Sequence, residues 1–313
     1  LWRVIRISVS VNLSPAAEVP LTFIIPAYQR QPLLDRALRS LDAQDAVPRQ
    51  IVVVDDGSAP ALRLPEGLSL PRVDLVRLPD NAGPAAARNA GLRHATTEWV
   101  SFLDCDDALI PGTLGTRWRL HTARQSERPD ARIISGCAWI DVTPAGRAIR
   151  TRYPRPGAAP EDFAGGCWFS PGSCIIMNAR AAVEQAGYQD ETLRRLEDVD
   201  WFLALALQGF QFEPQDCVGA LIEQKRVQNP GALADAARTI ARKWRSMLPD
   251  PLHRRLRSYL HLECAAAQHF AGHRFATIAH LARSVTLQPR LSLQLSPGWD
   301  LATTQDMTGQ SQP

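Results

Sequence analysis

Three short apolar runs, each ended by acids or turn formers and spaced by helix-period segments, leave this chain few ways to fold. Leu21-Thr22-Phe23-Ile24-Ile25 gives way to Pro26-Ala27-Tyr28, and Gln50-Ile51-Val52-Val53-Val54 to Asp55-Asp56-Gly57-Ser58. Trp99-Val100-Ser101-Phe102-Leu103 runs into Asp104-Cys105-Asp106-Asp107. Runs of about five residues rich in β-branched and aromatic side chains read as buried strands. Between the first two, Leu33, Leu34, Ala37, Leu38 and Leu41 recur on one helical stripe, with Asp35 four before Arg39. Strand, helix, strand in that order predicts a parallel crossover and an α/β sheet. Ligands of such sheets bind beyond the carboxyl ends of the strands. A fourth run, Val73 to Leu78, precedes Gly83 and Pro84, which suit a helix start. Arg88, just over one turn in, then faces the crevice or pairs with Asp55 or Asp80.

Asp104 and Asp106 are two apart, so in an extended segment both point the same way. Two hard oxygen donors on one side can hold Mn²⁺ or Mg²⁺ and leave positions free for phosphates. A lone Asp-x-Asp reads more readily as a solvated acidic turn; the motifs around it argue for the metal. Further on, Thr113 to Ser126 reads as a helix, Ile133 to Ile140 as a strand, Arg147 to Pro160 as a surface loop and Ser173 to Asn178 as a strand. Trp168, among glycines, is either a wall for stacking sugar or ordinary core. Glu197-Asp198-Val199-Asp200-Trp201 opens a helix-period segment, where acids complement the helix dipole by about 0.3–1 kcal/mol.

In order, Ile24-Ile25-Pro26-Ala27-Tyr28, Val54-Asp55-Asp56-Gly57-Ser58, Asn81-x-Gly83 with Ala87-Arg88-Asn89-x-Gly91, Phe102-Leu103-Asp104-x-Asp106-Asp107 and the Glu197-Asp198 pair form a series that resembles the family 2 glycosyltransferases. The likeness covers about residues 20 to 228. It implies a GT-A fold, a Rossmann-like, mostly parallel central sheet flanked by helices. It also implies inverting transfer from a nucleotide-sugar donor, a UDP-sugar first, to a hydroxyl of a glycan, lipid-linked or protein acceptor, in glycan or cell-envelope polysaccharide synthesis. By this resemblance Pro26, Ala27 and Tyr28 flank the base, Asp56 accepts from the uracil ring, and Arg88 and Asp104 serve the nucleotide. Asp106 holds Mn²⁺ or Mg²⁺, Asp107 supports it or caps the next turn, and Asp198 is the catalytic base. Glu197, Trp168 and Trp201 are candidates for diphosphate or acceptor contacts. Many relatives carry a late histidine where this chain reads Glu223-Gln224-Lys225-Arg226-Val227-Gln228. Lys225 or Arg226 then neutralises the diphosphate instead, or the module binds nucleotide or glycan without catalysis.

Thirty-five basic against thirty-two acidic residues give a net charge of only +3, so no nucleic-acid partner is expected. No apolar run approaches the roughly 20 residues that span a bilayer, which predicts a cytoplasmic enzyme, with peripheral association at the inner membrane left open. Six cysteines without a Cys-x-x-Cys pair fit reduced thiols. A receiver-type phosphorylation domain needs a lysine on a later strand, and the first lysine is Lys225. A dinucleotide site needs Gly-x-Gly-x-x-Gly after the first strand, and none follows Ile25. The expected organisation is a loose extension over 1–18, a catalytic domain over 19–228 (nucleotide half about 19–112, acceptor half about 113–228), a helical extension over 229–290 and a disordered tail over 291–313. Within the extension, Leu256 with Leu260, and Phe275 with Ile278, Leu281 or Ala282, and Val285, predict packed helices. Of its five histidines, His269 and His273 have one-turn spacing, but His253, His261 and His269 step by eight and drift off a common helical face, so a metal site is not the expected reading.

Overall fold

The computed structural model describes residues 17–70, 72–224 and 229–289. Its first half is built from β1 (Ala17–Ala27), α1 (Gln31–Asp42), β2 (Ala46–Asp55), β3 (Val73–Arg77), α2 (Pro84–His94) and β4 (Trp99–Phe102). The first strand thus begins inside the segment read as a loose extension. β1 pairs in parallel with β2 and with β4, setting Ala27 opposite Asp55 and Ile24 opposite Phe102, and β2 pairs in parallel with β3. Three strands therefore finish side by side, and the loops behind them open onto one crevice.

The continuous apolar runs have a physical cause: β1 is buried on both faces. Leu21, Phe23 and Ile25 pack with Leu34, Leu38 and Leu41 of α1, while Ile24 points the other way into a cluster with Val100 and Phe102. Such strands lose the apolar–polar alternation of a half-exposed sheet. On the second face α2 lies close to β1, because a Cβ built on Gly91 would stand 2.3 Å from Ile24 Cγ2. Gly91→Ala must push helix and strand apart, costing about 1–3 kcal/mol, against a helix-propensity gain of about 1 kcal/mol. A lowered urea midpoint is the expected result, and an unchanged or raised one would show that the contact yields.

The second half comprises β5 (Ala108–Leu109), α3 (Leu114–Glu127), β6 (Arg132–Val142), β7 (Ala148–Arg152), α4 (Pro160–Phe163), β8 (Ile175–Asn178), α5 (Ala179–Ala186), α6 (Glu197–Leu207) and β9 (Phe210–Glu223). The strands form one sheet in the order β3-β2-β1-β4-β8-β6-β9-β5, with β7 beside β6. Parallel pairing runs from β3 through β4. Beyond it β8 is antiparallel to both neighbours and β5 to β9, while β6 and β9 run parallel, so this half is mixed.

Two particulars differ from the sequence reading, and Trp168 follows one of its two alternatives. The Arg147 to Pro160 loop contains β7, whose Arg150 and Arg152 both donate to the buried Asp141 carboxylate at 2.7 Å. Asp35 accepts from Gln31 Nε2 at 2.7 Å, and among the described residues no bond to Arg39 is formed. Trp168 is core: it is 7% exposed, packs edge-on against Phe163, Phe169 and Phe212, and donates its indole N–H to the Arg155 carbonyl.

The chain closes with α7 (Pro230–Lys243), α8 (Asp250–Phe270) and α9 (Arg274–Leu287). Leu256 and Leu260 are buried as expected, but Phe275, Ile278 and Val285 are exposed, so the α9 stripe packs against nothing among the described residues.

Candidate active site

The crevice at the strand ends is a cavity of about 480 Å³. Pro26, Ala27 and Tyr28 line it from the end of β1, Asp56 from the end of β2, Arg88 from α2, and Asp104 and Asp106 from the loop behind β4. Glu197 closes it from the start of α6. The nucleotide and metal residues expected from the sequence are thus gathered in one place.

Arg88 is the electrostatic centre. Its two terminal nitrogens donate to Asp104 Oδ1 and Glu197 Oε1, both at 2.8 Å, so its partners are neither Asp55 nor Asp80. Burial opposes charge on this guanidinium, yet the Asp104 and Glu197 carboxylates outweigh it and hold the group above its ordinary range. Asp56 accepts from the backbone N–H groups of Ala82 and Gly83 at 2.7 and 2.9 Å, which ties the end of β2 to the start of α2. Burial nevertheless raises its carboxyl above the usual range. Asp55 takes a structural part: it accepts from Ser58, Leu62 and Arg77, and these bonds overcome burial to keep it charged. Asn89 exchanges bonds with Gln189 and reaches Glu191, fastening α2 to the segment that leads into α6.

The acid loop divides its labour. Asp104, Asp106 and Asp107 each offer a carboxylate oxygen within 4.8 Å of the others, the only such group of three among the described residues. Asp104 and Asp106 line the cavity, whereas Asp107 is buried, accepting from Ser173 Oγ at 2.6 Å and Glu223 N at 3.1 Å. Burial and the neighbouring Asp104 push the Asp107 carboxyl up to about 8. Hard carboxylate oxygens on two partly open side chains fit a small divalent cation, with the third acid beneath them as support. Gly172 allows the loop its position, since a Cβ there would lie 2.2 Å from Asp104 Oδ2.

Among the described residues four cations border the cavity, of which the sequence reading found only Arg88. Arg30 pairs with Asp106 at 2.8 Å, Arg194 holds the Asn81 side chain and carbonyl, and Arg195 makes no ion pair among the described residues. Arg30 stands two residues after Tyr28 and Arg194-Arg195 precede Glu197, but isolated surface arginines carry no local signal. Lys225 and Arg226, expected at the diphosphate, lie outside the described residues.

The acids of α6 have different environments. Glu197 is committed to Arg88, and Asp200 accepts from Lys243 Nζ at 2.6 Å and Trp244 Nε1 at 2.8 Å, anchoring α7. Asp198 alone of the three makes no ion pair among the described residues; its Oδ1 accepts from Val199 N. It is not among the residues that line the cavity, and burial, then Glu197, push its carboxyl up to about 7. Trp201 supplies no ligand contact: it is 1% exposed and donates to the Gly187 carbonyl. Like Trp168 it is core, because both rings fill the space beneath the second half of the sheet.

A cavity ringed by cations and carboxylates at the ends of parallel strands, with an Asp-x-Asp loop on its floor, defines an α/β fold of the GT-A glycosyltransferase type. Residues 22–124 match the family described as Glycosyl transferase family 2. The succinoglycan biosynthesis protein ExoO of Rhizobium meliloti is 40% identical over 111 residues, 35% of this chain and 30% of that protein. The GalNAc(5)-diNAcBac-PP-undecaprenol beta-1,3-glucosyltransferase of Campylobacter jejuni is 35% identical over 100 residues, 31% of this chain and 32% of that protein. These alignments span about a third of the relatives' length. In fold, the chain is similar to S. aureus TarS 1–349 solved with UDP-GlcNAc, with a TM-score of 0.59 at 18% identity, covering 88% of this chain and 82% of that one. No helix among the described residues is long and apolar enough to cross a membrane.

Proposed function

We propose that the chain transfers a sugar from a nucleoside diphosphate donor, a UDP-sugar, to an acceptor hydroxyl with inversion, in the synthesis of a polysaccharide or lipid-linked glycan. The observation that carries this is the single cavity in which Asp56, Arg88, Asp104, Asp106 and Glu197 converge. UDP-GlcNAc in the TarS complex and the polyprenyl-linked acceptor named for the Campylobacter relative support the two substrate classes. Residues 19–228 would form the catalytic domain, with the nucleotide half ending near 112, and 229–290 a helical extension.

Asp56 and the Pro26-Ala27-Tyr28 segment would receive the base, Tyr28 offering an exposed ring face. Arg30, Arg88, Arg194 and Arg195 would face the diphosphate, whose charge grows as the glycosidic bond breaks. Fixed cations in a partly dry cavity stabilise such charge without reorganising. Asp106, with Asp104 beside it, would hold Mn²⁺ or Mg²⁺, which supplies Lewis-acid stabilisation of the leaving diphosphate. Asp198 would take the proton of the acceptor hydroxyl, because an acid without a cationic partner and with its carboxyl near 7 is poised as a base.

Calorimetry of UDP binding with Mn²⁺ tests the cation site through Asp106→Ala. Affinity is expected to fall at least about tenfold, since a hydrogen-bonded, charged contact is worth roughly 1.5–3 kcal/mol, while the unfolding midpoint stays in place. Unchanged affinity would remove Asp106 from the site. Donor hydrolysis and transfer assays on the same protein separate a working enzyme from a module that only binds.

A further inference from the structure

The helical extension carries a surface that sugar transfer does not use. From 229 to 289 it holds nine arginines and lysines against three acids, so the rest of the chain is net acidic. Its last helix is inverted: the polar Thr277 and Ser284 are buried, and Ser284 exchanges hydrogen bonds with Ser258 of α8 at 2.9 Å. Phe275, Ile278, Ala282 and Val285 recur three and four residues apart, so they share the opposite, outer face. Phe275 is 91% exposed, Ile278 62% and Val285 56%. At 100° per residue Arg274 and Arg283 fall on either side of this apolar stripe.

Beside it lies a groove of about 380 Å³ between α7, α8 and α9, with Arg238, Arg242, Arg257 and Arg283 above an apolar floor that includes Ala237 and Leu260. Arg238 pairs with Asp235; the other three make no ion pair among the described residues. An apolar helix face bordered by arginines is the pattern of a helix lying in a membrane interface, and basic clusters are drawn to anionic headgroups.

We propose that this extension docks on an anionic phospholipid surface, α9 seating its apolar stripe among the acyl chains while the groove arginines hold phosphate headgroups. Two copies of so basic a face repel one another, which disfavours self-association through it. A nucleic acid would satisfy the arginines but leave Phe275 and Ile278 in water.

Co-sedimentation of the full chain with phosphatidylcholine vesicles, with and without phosphatidylglycerol, tests this independently of sugar transfer. The wild type is expected on the phosphatidylglycerol vesicles, to leave the phosphatidylcholine ones in solution, and to be released by salt. Phe275→Asp with Ile278→Asp, and separately Arg257→Glu with Arg283→Glu, should each weaken binding at least about tenfold. Thermal unfolding and UDP affinity control for the fold; if the aspartates disturb it, Phe275→Ser with Ile278→Ser gives the same reading. Wild-type binding to neither vesicle, or unchanged binding by both variants, would overturn the proposal. So would a dimer dispersed by Phe275→Asp without vesicle binding, because it would assign the face to a second copy.

Discussion

Asp198→Asn is expected to lower the rate of sugar transfer by about 10²–10⁴-fold, the usual contribution of a general base, while leaving UDP affinity close to wild type. The separation follows because Asp198 is not among the residues that line that cavity, and Asn keeps its shape. The pH profile adds a second signature. A carboxyl raised to about 7 is protonated and inactive as a base below that value, so the rate should climb as pH rises through about 7 and level above it. The variant should lose that limb. Turnover within a few-fold of wild type, measured with a verified acceptor, would take Asp198 out of the mechanism. Glu197 would then be the acid to examine, since Asp200 is bound to Lys243 and Trp244.

Arg88→Leu should be the most damaging single change in the cavity. It leaves Asp104 and Glu197 facing each other without the cation that joins them, and breaking a buried pair in this way costs about 3–5 kcal/mol. The lower end applies, because the Asp104 side chain is 34% exposed and water screens part of its charge. Arg88→Lys keeps the charge but cannot fork to both acids, so an intermediate loss is expected. Urea denaturation at neutral pH measures both. A stability loss for Arg88→Leu below about 1 kcal/mol would mean that the network is held by solvent rather than by the guanidinium.

The first half was legible because its strands are buried on both faces and end in acids, so burial and chemistry leave their marks in the same few residues. Asp56, Arg88, Asp104 and Asp106 could be read from their places at strand ends and on the first turns of a helix. β7 was not legible, since Arg150 and Arg152 look like loop residues until Asp141, buried in β6, is seen to accept from both. The stripe of α9 was legible as a helix but not as an exposed one: periodicity records which residues share a face, not what lies against it. Arg194 and Arg195 reach the cavity only through the turn that precedes α6.

The loop that carries the three acids is stitched at both ends. Leu103 N donates to the carbonyl of Ile24 in β1, Asp104 N to that of Gly172, and Asp107 accepts from Glu223 at the end of β9, while β4 and β5 fix the flanks. Only five residues span this distance, and they have little freedom to breathe. Discrimination between Mg²⁺ and the larger, more tolerant Ca²⁺ depends on the size and flexibility of the oxygen cage. In such a loop ionic radius would be selected by strand pairing several residues away, and a change in the sheet could alter which ion is preferred while every side chain touching it stayed the same.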